Sequence, residues 1–153
     1  MKVRVACAVL LLGTSLAALA GPVEDTIRLR QSAFTFIGWN VGKIQQQTME
    51  HPQDFNKDQV AAAANAIAAA ANSGLGALFA PGTDQGTGWR QTRLKPEFFQ
   101  QPDEAKKAAM EFIEQANVLA KVAAGGDPAA IKTELGKLRQ TCKACHDSFR
   151  SRD

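Results

Sequence analysis

Residues 131–150 read IKTELGKLRQTCKACHDSFR. The apolar positions Ile131, Leu135, Leu138, Cys142, Cys145 and Phe149 recur at alternating steps of four and three, the spacing of a core-facing seam on a bundle helix. Both cysteines stand where leucine or isoleucine would otherwise pack, so their thiols are expected to face the core. Asp127 provides an N-cap and Pro128 a first-turn residue, which places this helix from there to about Arg150.

Upstream, the same periodicity fills most of the chain; tyrosine is absent and no alternating run carries hairpin chemistry. A first helix is expected from Pro22 to about Met49, where Pro52 closes it. NKDQ, Asn56 to Gln59, caps a second helix with the stripe Val60, Ala64, Ile67 and Ala71, ending near Gly74. Pro102, Asp103 and Glu104 open a third, with Ala109, Phe112 and Ala116 on its seam, and Gly125 and Gly126 stop it. Residues 80–101, APGTDQGTGWRQTRLKPEFFQQ, form the one long loop, and loops of such length in compact domains usually have a task. The expected fold is all-α, an antiparallel up-down-up-down four-helix bundle.

The chain has 153 residues, 45% of them apolar, enough for one domain with a core. Residues 1–20 carry the three parts of an export signal: Lys2 and Arg4, the apolar run Val5 to Leu12, and Ala18, Leu19, Ala20 as a cleavage site. The apolar run is too short for a membrane span. Residues 21–153 are then the exported domain, in the periplasm. Of 18 Lys and Arg, Lys2 and Arg4 leave with the signal; the remaining 16 nearly balance 15 acids, and no basic face for nucleic acid is evident. Cys7 also leaves, so Cys142 and Cys145 cannot be staples between distant loops.

Three chemistries compete for Cys142, Cys145 and His146. A zinc site needs a fourth protein ligand, and no second Cys or His cluster supplies one. A redox dithiol belongs at a helix N-terminus, where the dipole lowers thiol pKa; this pair lies near a C-terminus. Cys-x-x-Cys-His is also the attachment motif of covalent haem, with two thioethers and an adjacent axial imidazole. A buried thiol pair beside a surface histidine is the alternative with no cofactor.

The first helix has its own seam at steps of four and three: Val23, Ile27, Arg30, Phe34, Ile37, Val41 and Ile44. A guanidinium there requires a buried partner, and haem propionates are one; otherwise Arg30 must snorkel to solvent. At 1.5 Å per residue Arg30 and Phe34 lie about 12 to 18 Å from one end of the bundle and His146 about 10 Å, so they share a level.

These residues resemble the cytochrome c′ family, the class II c-type cytochromes with a four-helix bundle. The likeness covers the exported chain and is carried by CKACHDSFR, RLRQSAFTFIGWNVGKI and PGTDQGTGW. It implies one haem c attached at Cys142 and Cys145, with His146 as the proximal iron ligand. It further implies haem contacts from Arg30, Gln31 and Thr87, a basic neighbour of the proximal imidazole in Arg150, and Phe34 over the distal iron face.

Low-spin relatives of the cytochrome c556 type place a methionine on the first helix; Phe34 has no lone pair to give. Met49 and His51 are too far along the chain, which leaves Met110, beside its seam, as the rival ligand. The resemblance therefore implies a five-coordinate, high-spin protein that exchanges electrons and binds NO or CO. The alternatives are a six-coordinate electron carrier or, in another class, a haem-free thiol redox bundle. No nucleophile with its base and no distal acid-base group marks an enzyme.

Family members commonly pair through the first helix, so a homodimer is implied; Gly38 and Gly42 permit close approach there, or seat the second helix. Lys137, Arg139 and Lys143 form a solvated basic flank or a steering surface for an acidic redox partner.

Overall fold

The computed structural model describes residues 21–152, so the expected export segment lies outside the described residues. Helix α1 is Pro22–Gln45, with Pro22 in its first turn and Glu24 and Asp25 at the positive end of its dipole. A single π turn, Gln46–Glu50, carries the segment on to the break at exposed His51 and Pro52.

Asn56 begins α2, Lys57–Ala71, by accepting a hydrogen bond from the Gln59 amide at 3.0 Å; Val60, Ala64, Ile67 and Ala71 are all buried. A short α3, Glu97–Gln100, interrupts the long loop. α4, Pro102–Gly125, ends at Gly126, whose φ of 80° is the left-handed conformation that glycine adopts without steric cost. The Asp127 carboxylate accepts from the Ala129 amide at 3.0 Å and starts α5, Pro128–Phe149.

The four long helices make the expected antiparallel bundle: α1 packs on α2, α2 on α4, α4 on α5, and α5 returns to α1. Among the described residues there is no strand, only two isolated bridges, Thr87 with Gln91 and Leu94 with Arg150. No described helix is long and apolar enough to cross a membrane. The core is Ile37, Ile44, Val60, Ile67, Leu119, Ile131, Leu135 and Leu138, each an aliphatic side chain whose burial is worth about 1.5–3 kcal/mol.

The seams are not equally covered along their length. Ile27, Ile37, Ile131, Leu135 and Leu138 are buried, whereas Phe34 is 38% exposed and Cys142 and Cys145 are half-buried. Ala109 is exposed rather than on the α4 seam, which runs through Ala105, Ala116, Leu119 and Ala123 with Phe112 half-buried. The seams are therefore fully covered at Ile131 and Leu135 and partly open at the thiols. Gly38 and Gly42 do not seat α2, because a Cβ added at either would meet nothing within 4 Å.

Candidate functional site

Cys142 and Cys145 are free thiols one turn apart in the last part of α5, on the face that also carries Leu138 and Phe149; His146 stands on the flank, exposed. Burial pushes both thiols above their ordinary pKa. At Cys142 a Thr141 hydrogen bond and Arg139 pull the other way, while at Cys145 the neighbouring Cys142 adds to the rise. His146 is pushed down, first by burial and then by Arg93, with Asp147 opposing.

These directions favour protonated sulfurs and a neutral imidazole near neutral pH. That suits axial ligation and is the reverse of what a reactive dithiol needs. Among the described residues no three His, Cys, Asp or Glu are grouped to hold a single metal ion.

Across the bundle, Arg30 is 6% exposed and does not snorkel. One terminal nitrogen donates to the Leu78 carbonyl at 2.9 Å and the Thr83 hydroxyl at 2.7 Å. The other donates to the Thr83 carbonyl at 2.6 Å and the Thr92 hydroxyl at 2.9 Å. Desolvation lowers its pKa, with Asp84 opposing, and the four hydrogen bonds are what make the burial tolerable. The guanidinium also stacks on Phe79, 5.1 Å from the ring centre. The buried partner demanded by the sequence thus includes the long loop itself.

Gln31, one residue on, clamps the tip of that loop. Its amide donates to the Arg90 carbonyl at 2.8 Å, and its oxygen accepts from the Trp89 amide at 2.7 Å and the Arg90 amide at 3.3 Å. Trp89 Nε1 donates to the Ser32 hydroxyl at 2.9 Å. Gly88 explains the closeness of this contact: a Cβ there would lie 2.8 Å from the Arg28 backbone nitrogen. Thr87 sits in the exposed turn bridged to Gln91.

A run of phenylalanines joins α1 to α5 at this level. Phe34 meets Phe79 edge-on at 6.1 Å, Phe79 stacks on Phe98 at 4.6 Å, and Phe98 meets buried Phe149 edge-on at 5.4 Å. The run that begins at Phe34 thus reaches α5 at Phe149, one turn beyond Cys145. Met110 is 57% exposed on the flank of α4, and His51 is exposed at the far end of α1.

Arg150 is half-buried and bridged to Leu94. The basic flank is largely engaged: Lys137 with Glu134 at 2.7 Å, Arg139 with Gln45 at 2.8 Å, and Lys143 with Asp147.

The donor set fits a covalent haem. Two sulfurs share one face, an imidazole is adjacent, and a run of aromatic rings reaches the same helix one turn on. Thr83, Thr92, Phe79 and Phe98 were not singled out in the sequence. Hydroxyls and rings in an aperiodic loop carry no periodic signal, although the crowding of Phe79, Phe98 and Phe99 around it was visible.

A cytochrome c′ family profile matches residues 25–150. Cytochrome c′ of Rhodocyclus tenuis is 51% identical over 130 residues, covering 85% of this chain and 96% of that protein. A solved cytochrome c′ described as having an unusual ligand-controlled dimer dissociation is 46% identical, with a TM-score of 0.81 over 88% of this chain and all of that one. A nitric oxide complex of a mutant cytochrome c′ from Alcaligenes xylosoxidans is 25% identical, with a TM-score of 0.74 over 85% of this chain and 97% of that one. The chain belongs to the cytochrome c′ family of covalent haem c proteins, and Cys142, Cys145 and His146 supply its attachment motif.

Proposed function

We propose that the chain is a periplasmic, five-coordinate, high-spin haem protein that binds small diatomic gases and exchanges electrons with partner proteins. The observation that carries this is Phe34. On the α1 seam, joined through Phe79 and Phe98 to Phe149 of the helix that carries the thiols, stands an apolar ring with no donor atom, and Met110 is 57% exposed. A bound haem would supply one-electron exchange and gas binding at iron. Cys142 and Cys145 would attach it and His146 would hold its iron, with Arg150 next to that imidazole. Arg30, Gln31 and Thr87 would contact it through the loop that the first two hold, and Phe34 would admit only small neutral ligands. The relative solved with nitric oxide supports this reading.

Absorption spectra of the ferric and dithionite-reduced protein test it. Broad high-spin bands are expected; sharply split α and β bands in the ferrous protein as isolated would overturn it. Denaturing mass spectrometry checks attachment, since thioether-linked haem adds roughly 600 Da that survives unfolding.

We also infer pairing of two copies through α1. Leu29, Phe36 and Trp39 are 60%, 47% and 61% exposed on the face opposite the core. An antiparallel pairing symmetric about position 34 sets Leu29 against Trp39 of the other copy, apolar on apolar, and Asp25 against Lys43, opposite charges at the ends. The relative with a ligand-controlled dimer supports this too.

A further inference from the structure

We propose that Lys95 is a positioning residue for His146, acting through the backbone of the α5 terminus; the proposal rests on reading His146 as the iron ligand. The last four carbonyls of a helix have no partner inside it. At the end of α5 all four are met. The His146 carbonyl accepts from the Arg150 amide at 3.0 Å, and the Phe149 carbonyl from the Lys95 amide at 2.9 Å. The Asp147 and Ser148 carbonyls accept from Lys95 Nζ at 3.2 and 3.1 Å. Lys95 alone, reaching in from the long loop, closes three of the four.

Its own position is fixed by the two residues before it. Leu94 is bridged to Arg150, and the Ser151 amide donates to the Arg93 carbonyl at 2.9 Å. The Asp147 carboxylate is occupied on its outer side by Lys143 and Arg152. The Lys95 ammonium is thereby spent on the peptide carbonyls, where it also meets the negative end of the helix dipole. An imidazole can hold one orientation only if the backbone that carries it is held, and the carbonyls gripped by Lys95 belong to the residues directly after His146. A loop residue thus sets the geometry of a ligand on another element.

The test uses the haem-loaded protein with Lys95→Met, which keeps the amide and the stem and loses the ammonium, and Lys95→Arg, which keeps the charged donors. The readouts are hydrogen exchange at the Arg150 and Ser151 amides and the ferrous iron–imidazole stretching band in resonance Raman. Lys95→Met is expected to speed exchange about three- to tenfold, the loss of two partly exposed hydrogen bonds, and to shift or broaden the band. Lys95→Arg is expected to restore both.

An unchanged band in Lys95→Met, even with a lower melting temperature, would reduce Lys95 to a helix cap and overturn the proposal. A wild-type protein without any iron–imidazole band would overturn the reading of His146, and this proposal with it. Should Lys95→Met not accumulate with haem, Lys95→Gln, which has a shorter neutral donor, is judged by the same band.

Discussion

Arg30 and Thr83, 53 residues apart, meet through two hydrogen bonds, one to the threonine hydroxyl at 2.7 Å and one to its carbonyl at 2.6 Å. Thr83 is 1% exposed, and its hydroxyl also donates to the Ala80 carbonyl at 2.8 Å. Thr83→Val keeps the shape and removes the hydroxyl, leaving one guanidinium proton unmet in a buried place. A loss of about 1–3 kcal/mol is expected in urea unfolding, with Thr83→Ser retaining most of the stability.

Gly88 lies where α1 and the loop approach most closely, and an added Cβ would be 2.7 Å from Gln31 Oε1 and 2.8 Å from Ile27 Cγ2 and the Arg28 nitrogen. All three belong to residues of α1, and the Arg28 nitrogen is helix backbone that cannot move aside. Gly88→Ala is expected to lift the Trp89 turn, costing about 1–3 kcal/mol as other overpacked contacts do. Loss of the contact with Ser32 should change Trp89 fluorescence.

Phe34→Ala is expected to speed CO association by at least tenfold, roughly the rate consequence of removing about 1.4 kcal/mol of steric barrier. Flash photolysis measures it. An unaltered rate would remove Phe34 as the gate.

Trp39→Glu sets two carboxylates into the apolar centre of the inferred α1 pairing, beside Leu29 of the other copy. Because Trp39 is 61% exposed in the single chain, its fold should be little affected. Sedimentation or light scattering is expected to show a monomer where the wild type shows a dimer; an unchanged mass would place the contact elsewhere.

The Asp147 carboxyl is held below its ordinary pKa, first by the hydrogen bond from Lys143 and with further help from the charges of Lys143, Arg152 and His146. A carboxylate depressed in the folded state contributes stability that is present above its unfolded pKa and lost as pH falls through the folded one. The difference in melting temperature between wild type and Lys143→Ala should therefore be present at neutral pH and vanish on acidification below the usual carboxylate range.

The seams of α1, α2 and α5 were legible because each repeats a period over many turns, and the caps at Asn56 and Asp127 because each needs only one side chain in the right place. Ala109 was misplaced because periodicity records which face a residue is on and not how wide the bundle is at that height. The turn α3 is too short to show a period. Arg30 announced that it needed a partner, yet nothing in the sequence said that the partner included Thr83 and Thr92. Nor could the cap by Lys95 be foreseen, since loop-to-helix contacts across tens of residues depend on the closed fold.

The anchors of the long loop to Arg30 span 53 to 62 residues, whereas α4 and α5 are joined by the short Gly126–Asp127 turn. Closing a long span costs chain entropy before its contacts repay it, so the local hairpin is the better nucleus and the loop docks late. Substitutions at Thr83 should then accelerate unfolding and leave refolding nearly unchanged, a φ-value close to zero. The helix bearing Cys142 and Cys145 would thus find its partner α4 early, before the loop anchored by Arg30 has docked.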